Sequence, residues 1–488
     1  MGRWAERARP HLLPLAAVIA LAACLAFYRI GTRDIWLDEA TTFHRASLPI
    51  DDLIKNSIRK RHVPTYFLFM HPWLSLGDSE LMLRLPSAVF GILTVGLMYA
   101  AGIMIGGLRM GMTAAALLAV SPFHVRYCQE ARMYSMLTFA ACAALIGALW
   151  LASECARPPP ADPSTRRART IAWIAIGAGT LATLYLHNTG LFFAATLGTA
   201  AVATLVVAPG HRGRLARGCA IVLVVVALAY MPWIPKLLLQ TEDLSGRAWG
   251  RVTTSYVSKV LGQLYLMEPR AGLLSLAMAL AGIAGAWSLR DRRAMLVTLL
   301  TVFLVGPAIF IGVSIAYRPM FGPRLLLWTA LPLTLLCAAG LSSLRLRAAS
   351  TGATAALLLW IGVANADRYH PDAEIPWRSL ATQLRDAQHS DNSAVIIFGL
   401  PLRPLRYYFE RKSDAIGPVR YVQGSRKPRR ISRFMRKRVG KHKTVWLVTR
   451  EDRDGFHTRP AVDWLDARGE RIHEERHGRA RIFAYRLK

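Results

Sequence analysis

Long apolar runs alternate with short charged stretches along most of the chain. The runs are about 17–25 residues long, the length that a helix needs to cross roughly 30 Å of hydrocarbon. They lack period-two alternation, and backbone groups in lipid must pair within a helix or a closed barrel, so the runs predict helices. Eleven spans are predicted, at residues 11–30, 84–107, 110–123, 133–153, 170–187, 190–208, 218–238, 270–288, 294–315, 325–341 and 350–366.

The charges between the runs predict an orientation. With the N-terminus in the cytoplasm, every predicted inner segment carries Arg, whereas the outer segments hold nearly all of the acids. Two long segments then lie outside, at 31–83 and after 366. Within 31–83, Leu53, Ile54 and Ile58 share one helical face, which favours a helix in the membrane interface. The N-terminal run is interpreted as an uncleaved first span rather than a signal peptide.

The tail, residues 367–488, has a different pattern. Short apolar runs such as AVIIF (394–398) and TVWLV (444–448) alternate with helical patterns such as LRPLRYYFE and AVDWLDARG. This alternation predicts a small α/β domain. The sequence has no GxGxxG or P-loop, so no nucleotide cofactor is expected. The predicted fold class is therefore an α-helical polytopic membrane protein, residues 1–366, with a small C-terminal α/β extracytoplasmic domain, residues 367–488.

The composition agrees with a membrane protein, since 53% of the residues are hydrophobic and only 19% are charged. The net charge of +31 indicates an anionic partner. The membrane pattern favours anionic lipid or a phosphorylated substrate over nucleic acid, and the basic stretch 424–443 is interpreted as a surface for membrane lipids. The six cysteines form no CxxC pair and lie mostly in apolar runs, which is typical of buried small hydrophobes.

Ionisable residues collect on the predicted outer face. Charges at membrane level are costly, which makes such residues candidates for function. A carboxylate can take a proton from a hydroxyl, and guanidinium groups can hold a phosphate as charge builds on it. Together they suit the displacement of a lipid phosphate from a sugar by an acceptor hydroxyl. The candidates are Asp38, Glu39, His62, Arg84, Arg126, Glu130, Arg132, His187, Asn188, Tyr317, Arg318 and Arg324.

The segments that carry these residues resemble, in the same order, the GT-C membrane glycosyltransferases. The nearest group is the protein O-mannosyltransferase, aminoarabinose transferase and lipopolysaccharide galacturonosyltransferase type, glycosyltransferase families 39 and 83. The likeness covers residues 12–366, and the tail matches only in layout. The matching segments are IWLDEATT, HVPTYFLFMHPW, ELMLRLPSAVFGILTV, SPFHVRYCQEARMYSML, YMPWIPKLLLQ and FGPRLLLWTALP.

The resemblance implies roles for the carboxylates. Asp38 would be the general base that activates the acceptor hydroxyl for in-line attack at the anomeric carbon, inverting its configuration. Glu39 would orient Asp38 or help to bind a cation, and Glu130 would be a second metal-binding or positioning group. These three hard oxygen ligands suit Mg²⁺ or Mn²⁺, but arginines could also neutralise the phosphate without a metal.

The resemblance also implies a substrate-binding set. His62 matches an H-x-P element and would touch the donor phosphate or the acceptor. Arg324, with Arg318 as a helper, would bind the lipid phosphate, although the family's RY element reads Arg-Leu here, with Leu325 in place of Tyr. The remaining members of this expected set are Arg84, Arg132 and His187.

Simpler interpretations stay open for these residues. Asp38 and Glu39 could cap a helix, and Glu130 could pair with Arg126 or Arg132 at neighbouring helical positions. Arg84, Arg318 and Arg324 could extend to the lipid headgroups, and His62 could be an ordinary interfacial histidine.

The main functional interpretation is an integral membrane glycosyltransferase in the inner membrane of a bacterium, with its active site and tail on the outer face. Its donor would be a polyprenyl-phosphate sugar and its acceptor a hydroxyl of a glycolipid, a glycan or a protein. The alternatives are a flippase or transporter of lipid-linked sugar, a surface-glycan polymerase or ligase, and a membrane-anchored binding protein. A transporter should show polar or broken spans with sites near the midplane. The sequence identifies neither the sugar nor the acceptor.

Overall fold

The computed structural model describes residues 2–155, 163–208, 210, 212–242, 252–265, 272–317, 320–364, 366, 375–388, 393–398, 400–411, 421–423, 435, 443–450 and 459–488. Helices dominate up to residue 364, and a sheet follows. The helices are α1 Gly2–Phe27, α2 Leu37–Ala46, α3 Ile50–Arg59, α4 Thr65–Trp73, α5 Glu80–Gly106, α6 Leu108–Ala119, α7 Pro122–Cys128, α8 Tyr134–Glu154, α9 Pro163–Leu186, α10 Gly190–Val207, α11 Arg212–Tyr230, α12 Ile234–Glu242, α13 Thr254–Tyr265, α14 Gly272–Ser288, α15 Arg293–Ala316, α16 Ala330–Ser342, α17 Arg347–Ala364, α18 Trp377–Gln388, α19 Leu402–Glu410 and α20 Arg459–Asp466.

Apolar helices of spanning length confirm the predicted polytopic class. Within the described ranges, seven helical stretches are long and apolar enough to cross a membrane, and the pair α6 and α7, bent by 65°, makes an eighth candidate. Three shorter apolar stretches, Leu12–Phe27, Leu273–Ser288 and Leu327–Ser342, fall within or close to the remaining predicted spans. The seven are Glu80–Gly106, Tyr134–Glu154, Thr165–Leu186, Gly190–Val207, Arg212–Gln240, Arg293–Ala316 and Arg347–Ala364.

The exposure of apolar side chains separates central from peripheral helices. On α8, Leu145 and Leu149 are almost completely buried, and most of that helix is enclosed by other helices. On α11, Leu223 is 69% exposed and Val225 is 57% exposed. A helix that leaves large aliphatic side chains in water would be unstable, so the exposed face of α11 is a surface for lipid. The multi-pass assignment therefore rests on burial as well as on length.

Close helix packing in this region depends on small residues. A methyl group at Gly285 on α14 would overlap the Leu336 carbonyl of α16, and one at Gly340 on α16 would overlap the Ala281 carbonyl of α14. Glycines that let two backbones approach are a common device where lipid supplies no hydrophobic drive between helices. The pairing of α14 with α16 therefore depends on Gly285 and Gly340.

By their contacts the residues fall into two compact units. The first, here the helical unit, comprises residues 1–28, 49–69 and 84–370, and the second, here the α/β unit, comprises 29–48, 70–83 and 371–488. The α/β unit thus combines tail residues with two short segments from the first predicted outer loop. The predicted domain boundary at 366 stays a prediction.

The α/β unit contains a five-stranded sheet of order β2-β1-β3-β5-β4. Strands β1 and β3 are parallel, with Val395 opposite Trp446, whereas β5 pairs antiparallel with both β3 and β4. The predicted strands at 394–398 and 444–448 are confirmed, and the segment ARIFAYRL forms a further strand. The sequence analysis missed β4, because its GERIHEERH pattern is polar on both faces of an edge strand. The strands are β1 Ser393–Phe398, β2 Tyr421–Gln423, β3 Thr444–Arg450, β4 Gly469–His477 and β5 Ala480–Leu487.

Candidate functional site

The carboxylates Asp38 and Glu39 lie in the first turn of α2, in the α/β unit. Glu39 is fully buried, and its Oε2 accepts a hydrogen bond of 3.3 Å from the backbone N–H of Trp36, the residue that precedes the helix. This contact is the glutamate half of a capping box, and both acids also complement the positive end of the helix dipole. Asp38 is only partly buried. The helix-capping interpretation therefore holds for Glu39, and Asp38 is the more accessible carboxylate of the pair.

Helix α19 of the tail lies against α2. The Nη1 of Arg403 donates a hydrogen bond of 2.8 Å to Oγ1 of Thr41, one helical turn beyond Asp38. The ring of Tyr407 meets Phe43 edge-on at 5.0 Å between centroids. Sequence reasoning missed Arg403, because nothing local to LRPLRYYFE indicates a partner more than 350 residues earlier in the chain.

Positively charged side chains lie near α2. Burial first, and then the positive charges of Arg403, Arg406 and Arg45, lower the pKa of His44, so its imidazole is neutral at pH 7. Burial and the neighbouring Arg406 lower the pKa of Arg403, whereas the Asp38 carboxylate opposes both effects. Asp38 therefore lies in a positive field that favours anions.

A second polar group in the α/β unit centres on Glu80. Its two carboxylate oxygens bind Arg378 Nη2 at 2.7 Å and Arg411 Nη1 at 2.8 Å. The backbone N–H of Arg378 also donates to Oδ2 of Asp34 at 3.0 Å. The hydroxyl of Tyr408 accepts from the N–H of Ile35 at 3.1 Å. These bonds hold the segment that leads into α2, and they join residues that no local sequence pattern connects.

In the helical unit, two arginines of the predicted substrate-binding set lie beside one aromatic ring. The guanidinium of Arg132 lies 5.8 Å from the ring centroid of Tyr134, and that of Arg324 lies 5.9 Å from the same centroid. The imidazole of His187 is 6.1 Å away from it, centroid to centroid. The structure thus brings together three residues of the predicted substrate-binding set, from three distant parts of the sequence. Tyr134 itself was not among the predicted site residues, although it is the Tyr of the QEARMYS segment.

His187 lies in the turn between α9 and α10. Its Nδ1 is 2.8 Å from Oγ1 of Thr189. Burial first, and then the charges of Arg132 and Arg324, lower its pKa to about 3. The imidazole is therefore neutral at physiological pH and can offer a hydrogen bond, but no charge, to a ligand.

The other predicted site residues of the helical unit have simpler surroundings. Glu130 is buried and accepts a bond of 3.1 Å from Arg126 Nε, the helical pairing that the sequence left open. His62 is partly buried, with its Nδ1 2.7 Å from the Lys60 carbonyl oxygen. Arg84 is 1% exposed, which is inconsistent with extension to lipid headgroups. Arg318 and most of the basic stretch 424–443 lie outside the described residues.

The described residues do not fit a preformed metal site. Within those ranges no three His, Cys, Asp or Glu side chains group so that they could hold an ion. Glu39 caps α2, and Glu130 is paired with Arg126. The metal-binding role expected of Asp38, Glu39 and Glu130 gains no support from this geometry.

Known structures share this architecture. ArnT from Cupriavidus metallidurans in the apo state is similar with a TM-score of 0.64 and 13% identity, covering 96% of this chain and 97% of that one. ArnT from the same organism bound to undecaprenyl phosphate is similar with a TM-score of 0.62 and 14% identity, and it covers the same shares of both chains. The Archaeoglobus fulgidus oligosaccharyltransferase in complex with Zn and sulfate is similar with a TM-score of 0.58 and 13% identity. The match covers 94% of this chain and 71% of that one. No protein-family model and no curated protein matches the chain. At these identities the likeness confirms the predicted GT-C fold and nothing finer.

Proposed function

We propose that the chain is a membrane glycosyltransferase that moves a sugar from a polyprenyl phosphate to an acceptor hydroxyl. The observation that carries the proposal is the convergence of Arg132 and Arg324 on the ring of Tyr134. The two guanidinium groups carry like charges, and a bound phosphate would offset their repulsion with charge-assisted hydrogen bonds. The shared fold supports the same interpretation, since one of the similar structures is ArnT bound to undecaprenyl phosphate.

In the proposed reaction Asp38 is the general base. Its carboxylate takes the proton from the acceptor hydroxyl while the hydroxyl oxygen bonds to the anomeric carbon of the donor sugar. The bond between that carbon and the phosphate oxygen breaks, and the oxygen keeps the electron pair. The polyprenyl phosphate therefore leaves with one additional negative charge, which Arg132 and Arg324 stabilise. Attack from the face opposite the leaving group inverts the anomeric configuration.

The neutral state of His187 suits this scheme. Because burial, and then the charges of Arg132 and Arg324, lower its pKa to about 3, His187 adds no third positive charge. Its ring can then orient the phosphate or the sugar by hydrogen bonding, with Nδ1 already beside Thr189. Glu39 acts in this proposal by holding the first turn of α2, and thereby the backbone that carries Asp38.

The location of the reaction is part of the proposal. We place the protein in the inner membrane of a bacterium, with Asp38 and the C-terminal residues on the outer face, as the Arg-rich inner segments favour. The acceptor is a hydroxyl of a glycolipid, a surface glycan or a protein. The near absence of charge within the apolar spans favours transfer over transport of a lipid-linked sugar.

The test compares cells that express the wild-type chain, Asp38→Asn or Asp51→Asn. Asp51 is an exposed aspartate in the first turn of α3, so it is a matched control. Glycolipids and envelope glycoproteins are extracted and analysed by mass spectrometry. We expect one sugar to disappear from one class of molecule in Asp38→Asn and to remain in Asp51→Asn.

Other outcomes would contradict the proposal. If Asp38→Asn is expressed and folded normally and the sugar remains, Asp38 is not the base. If removal of the whole chain changes no glycan, the protein is not a glycosyltransferase. A third outcome would favour a flippase. In that case, removal of the chain depletes a lipid-linked sugar from the outer leaflet, but isolated membranes without the chain still transfer the sugar in vitro.

A further inference from the structure

A charged hydrogen bond from the tail holds the helix that carries Asp38. Thr41 Oγ1 donates to the Leu37 carbonyl oxygen at 2.8 Å and accepts from Arg403 Nη1 at 2.8 Å. The hydroxyl therefore connects the backbone of the first turn of α2 to a guanidinium of α19. Thr41 is 7% exposed and Arg403 is partly buried, so this hydrogen bond is partly shielded from water.

The position of Thr41 makes this bond relevant to Asp38. Residues three apart on a helix are surface neighbours, about 5–6 Å between Cβ atoms, so Thr41 and Asp38 share one side of α2. The charge of Asp38 acts on Arg403 directly, because it favours the charged form of that side chain. Arg403 thus holds the helix and also faces the carboxylate.

Helix α19 is itself fixed firmly enough to serve as a support. Tyr407 and Tyr408 are almost fully buried, and the Tyr407 hydroxyl donates to the Asp78 carbonyl oxygen at 2.8 Å. Arg411, directly after α19, is 1% exposed and bound to Glu80. A side chain that projects from such an anchored helix loses little additional freedom when it binds Thr41.

We propose that Arg403 is a positioning residue for the base: by binding Thr41 and facing Asp38, it fixes the direction in which the Asp38 carboxylate meets the acceptor hydroxyl. This inference rests on the proposed function, because it takes Asp38 as the base. It assigns a catalytic contribution to the C-terminal residues, which would otherwise be only an appended domain. Arg403 acts through Asp38 and does not bind the donor phosphate.

The test uses four single variants of the full chain, the double variant Arg403→Met with Thr41→Val, and one control. Arg403→Met removes the donor and keeps a long apolar stem, whereas Thr41→Val removes the acceptor and keeps the shape. Arg403→Lys and Thr41→Ser each retain a hydrogen-bonding group. Arg385→Met removes an arginine of α18 that is paired with Asp386 at the surface, and it is the control.

Three measurements separate positioning from other roles. Initial transfer rates are measured in membrane vesicles from cells fed ¹⁴C-labelled glucose, so that the donor is the labelled lipid-linked sugar of those membranes. Affinity for undecaprenyl phosphate is measured on the purified protein. Backbone amide exchange is measured over residues 37–46, and this readout does not depend on activity.

We expect Arg403→Met and Thr41→Val each to lower the transfer rate about tenfold, as for a lost hydrogen bond to a charged group. The double variant should be no slower than the worse single variant, because both remove the same bond. Undecaprenyl phosphate affinity should be unchanged, and amide exchange over 37–46 should accelerate. Thr41→Ser should keep the wild-type rate, and Arg403→Lys should recover part of it.

The failures are distinguishable. A wild-type chain without transfer activity refutes the proposed function, whereas amide exchange still reports whether Arg403 holds α2. If the wild type is active, and Arg403→Met and Thr41→Val show the same transfer rate and the same amide exchange as the wild type, Arg403 has no positioning role. Weakened undecaprenyl phosphate binding with unchanged exchange would make Arg403 a ligand-binding group instead. If Arg403→Met does not fold, Thr41→Val decides alone.

Discussion

Glu80 and Arg411 form an ion pair of 2.8 Å in which the side chains are 3% and 1% exposed. The two residues are 331 positions apart in the sequence. Arg378 binds the other oxygen of the same carboxylate at 2.7 Å. This buried pair ties residues 70–83 to the tail within the α/β unit. Residues 29–48 and 70–83 therefore form one compact unit with the C-terminal residues.

Removal of the Glu80 charge should destabilise the α/β unit. Glu80→Gln leaves Arg411 buried without its anion, and breaking such a pair typically costs about 3–5 kcal/mol. We expect a lower thermal unfolding midpoint of the detergent-purified protein and faster amide exchange over residues 70–83. Glu410→Gln, at an exposed position of α19, is the control. Equal midpoints for Glu80→Gln and the wild type would show that the pair contributes nothing to stability.

Removal of either guanidinium beside Tyr134 should weaken phosphate binding. For Arg324→Ala and Arg132→Ala we expect about 10- to 100-fold weaker binding of undecaprenyl phosphate, as for one charge-assisted hydrogen bond. Binding of undecaprenol, which lacks the phosphate, should change little. Arg290→Ala removes an exposed arginine stacked on Trp287 and serves as the control. A similar loss for undecaprenol would indicate a general disturbance of the helices rather than a phosphate site.

The buried His187 should make stability depend on pH in one direction. Its folded-state pKa is about 3, below the ordinary value of 6.5. Between these values the unfolded chain binds a proton that the folded chain does not, so stability rises with pH across this window and is complete above it. We expect the thermal unfolding midpoint of the wild type to decrease as the pH is lowered from 7.5 to 4.5. The decrease should be smaller in His187→Gln. An identical pH dependence in both proteins would contradict this assignment.

The proposed orientation can be tested with single cysteines. Arg479→Cys lies in the exposed turn between β4 and β5, and Asp291→Cys lies in the exposed segment between α14 and α15. An impermeant maleimide applied to intact spheroplasts should label position 479 but not 291, whereas disrupted membranes should show both. The native cysteines are replaced beforehand, because Cys24 is exposed. The reverse labelling pattern would invert the topology.

Much of the fold could be predicted from the sequence, for a local reason. A helix that crosses lipid must be apolar over a fixed length, so each span is visible within its own residues. The bend of 65° between α6 and α7 was not predicted, although Pro122 marks its position. Strand β4 was missed because an edge strand needs no apolar face. Both features depend on neighbours rather than on composition.

For the candidate site, too, some features follow from the sequence alone and others only from the tertiary structure. The sequence by itself determined which residues are chemically suited to the reaction: the carboxylate of Asp38 and the guanidinium groups of Arg132 and Arg324. Only the tertiary structure decided what surrounds them, namely the ring of Tyr134 beside both arginines and Arg403 on Thr41. Such contacts join residues that are far apart in the chain, and no local pattern encodes a partner that is brought near by the packing of other helices. A side chain's chemistry is intrinsic to it, whereas its protonation, direction and partners depend on the fold.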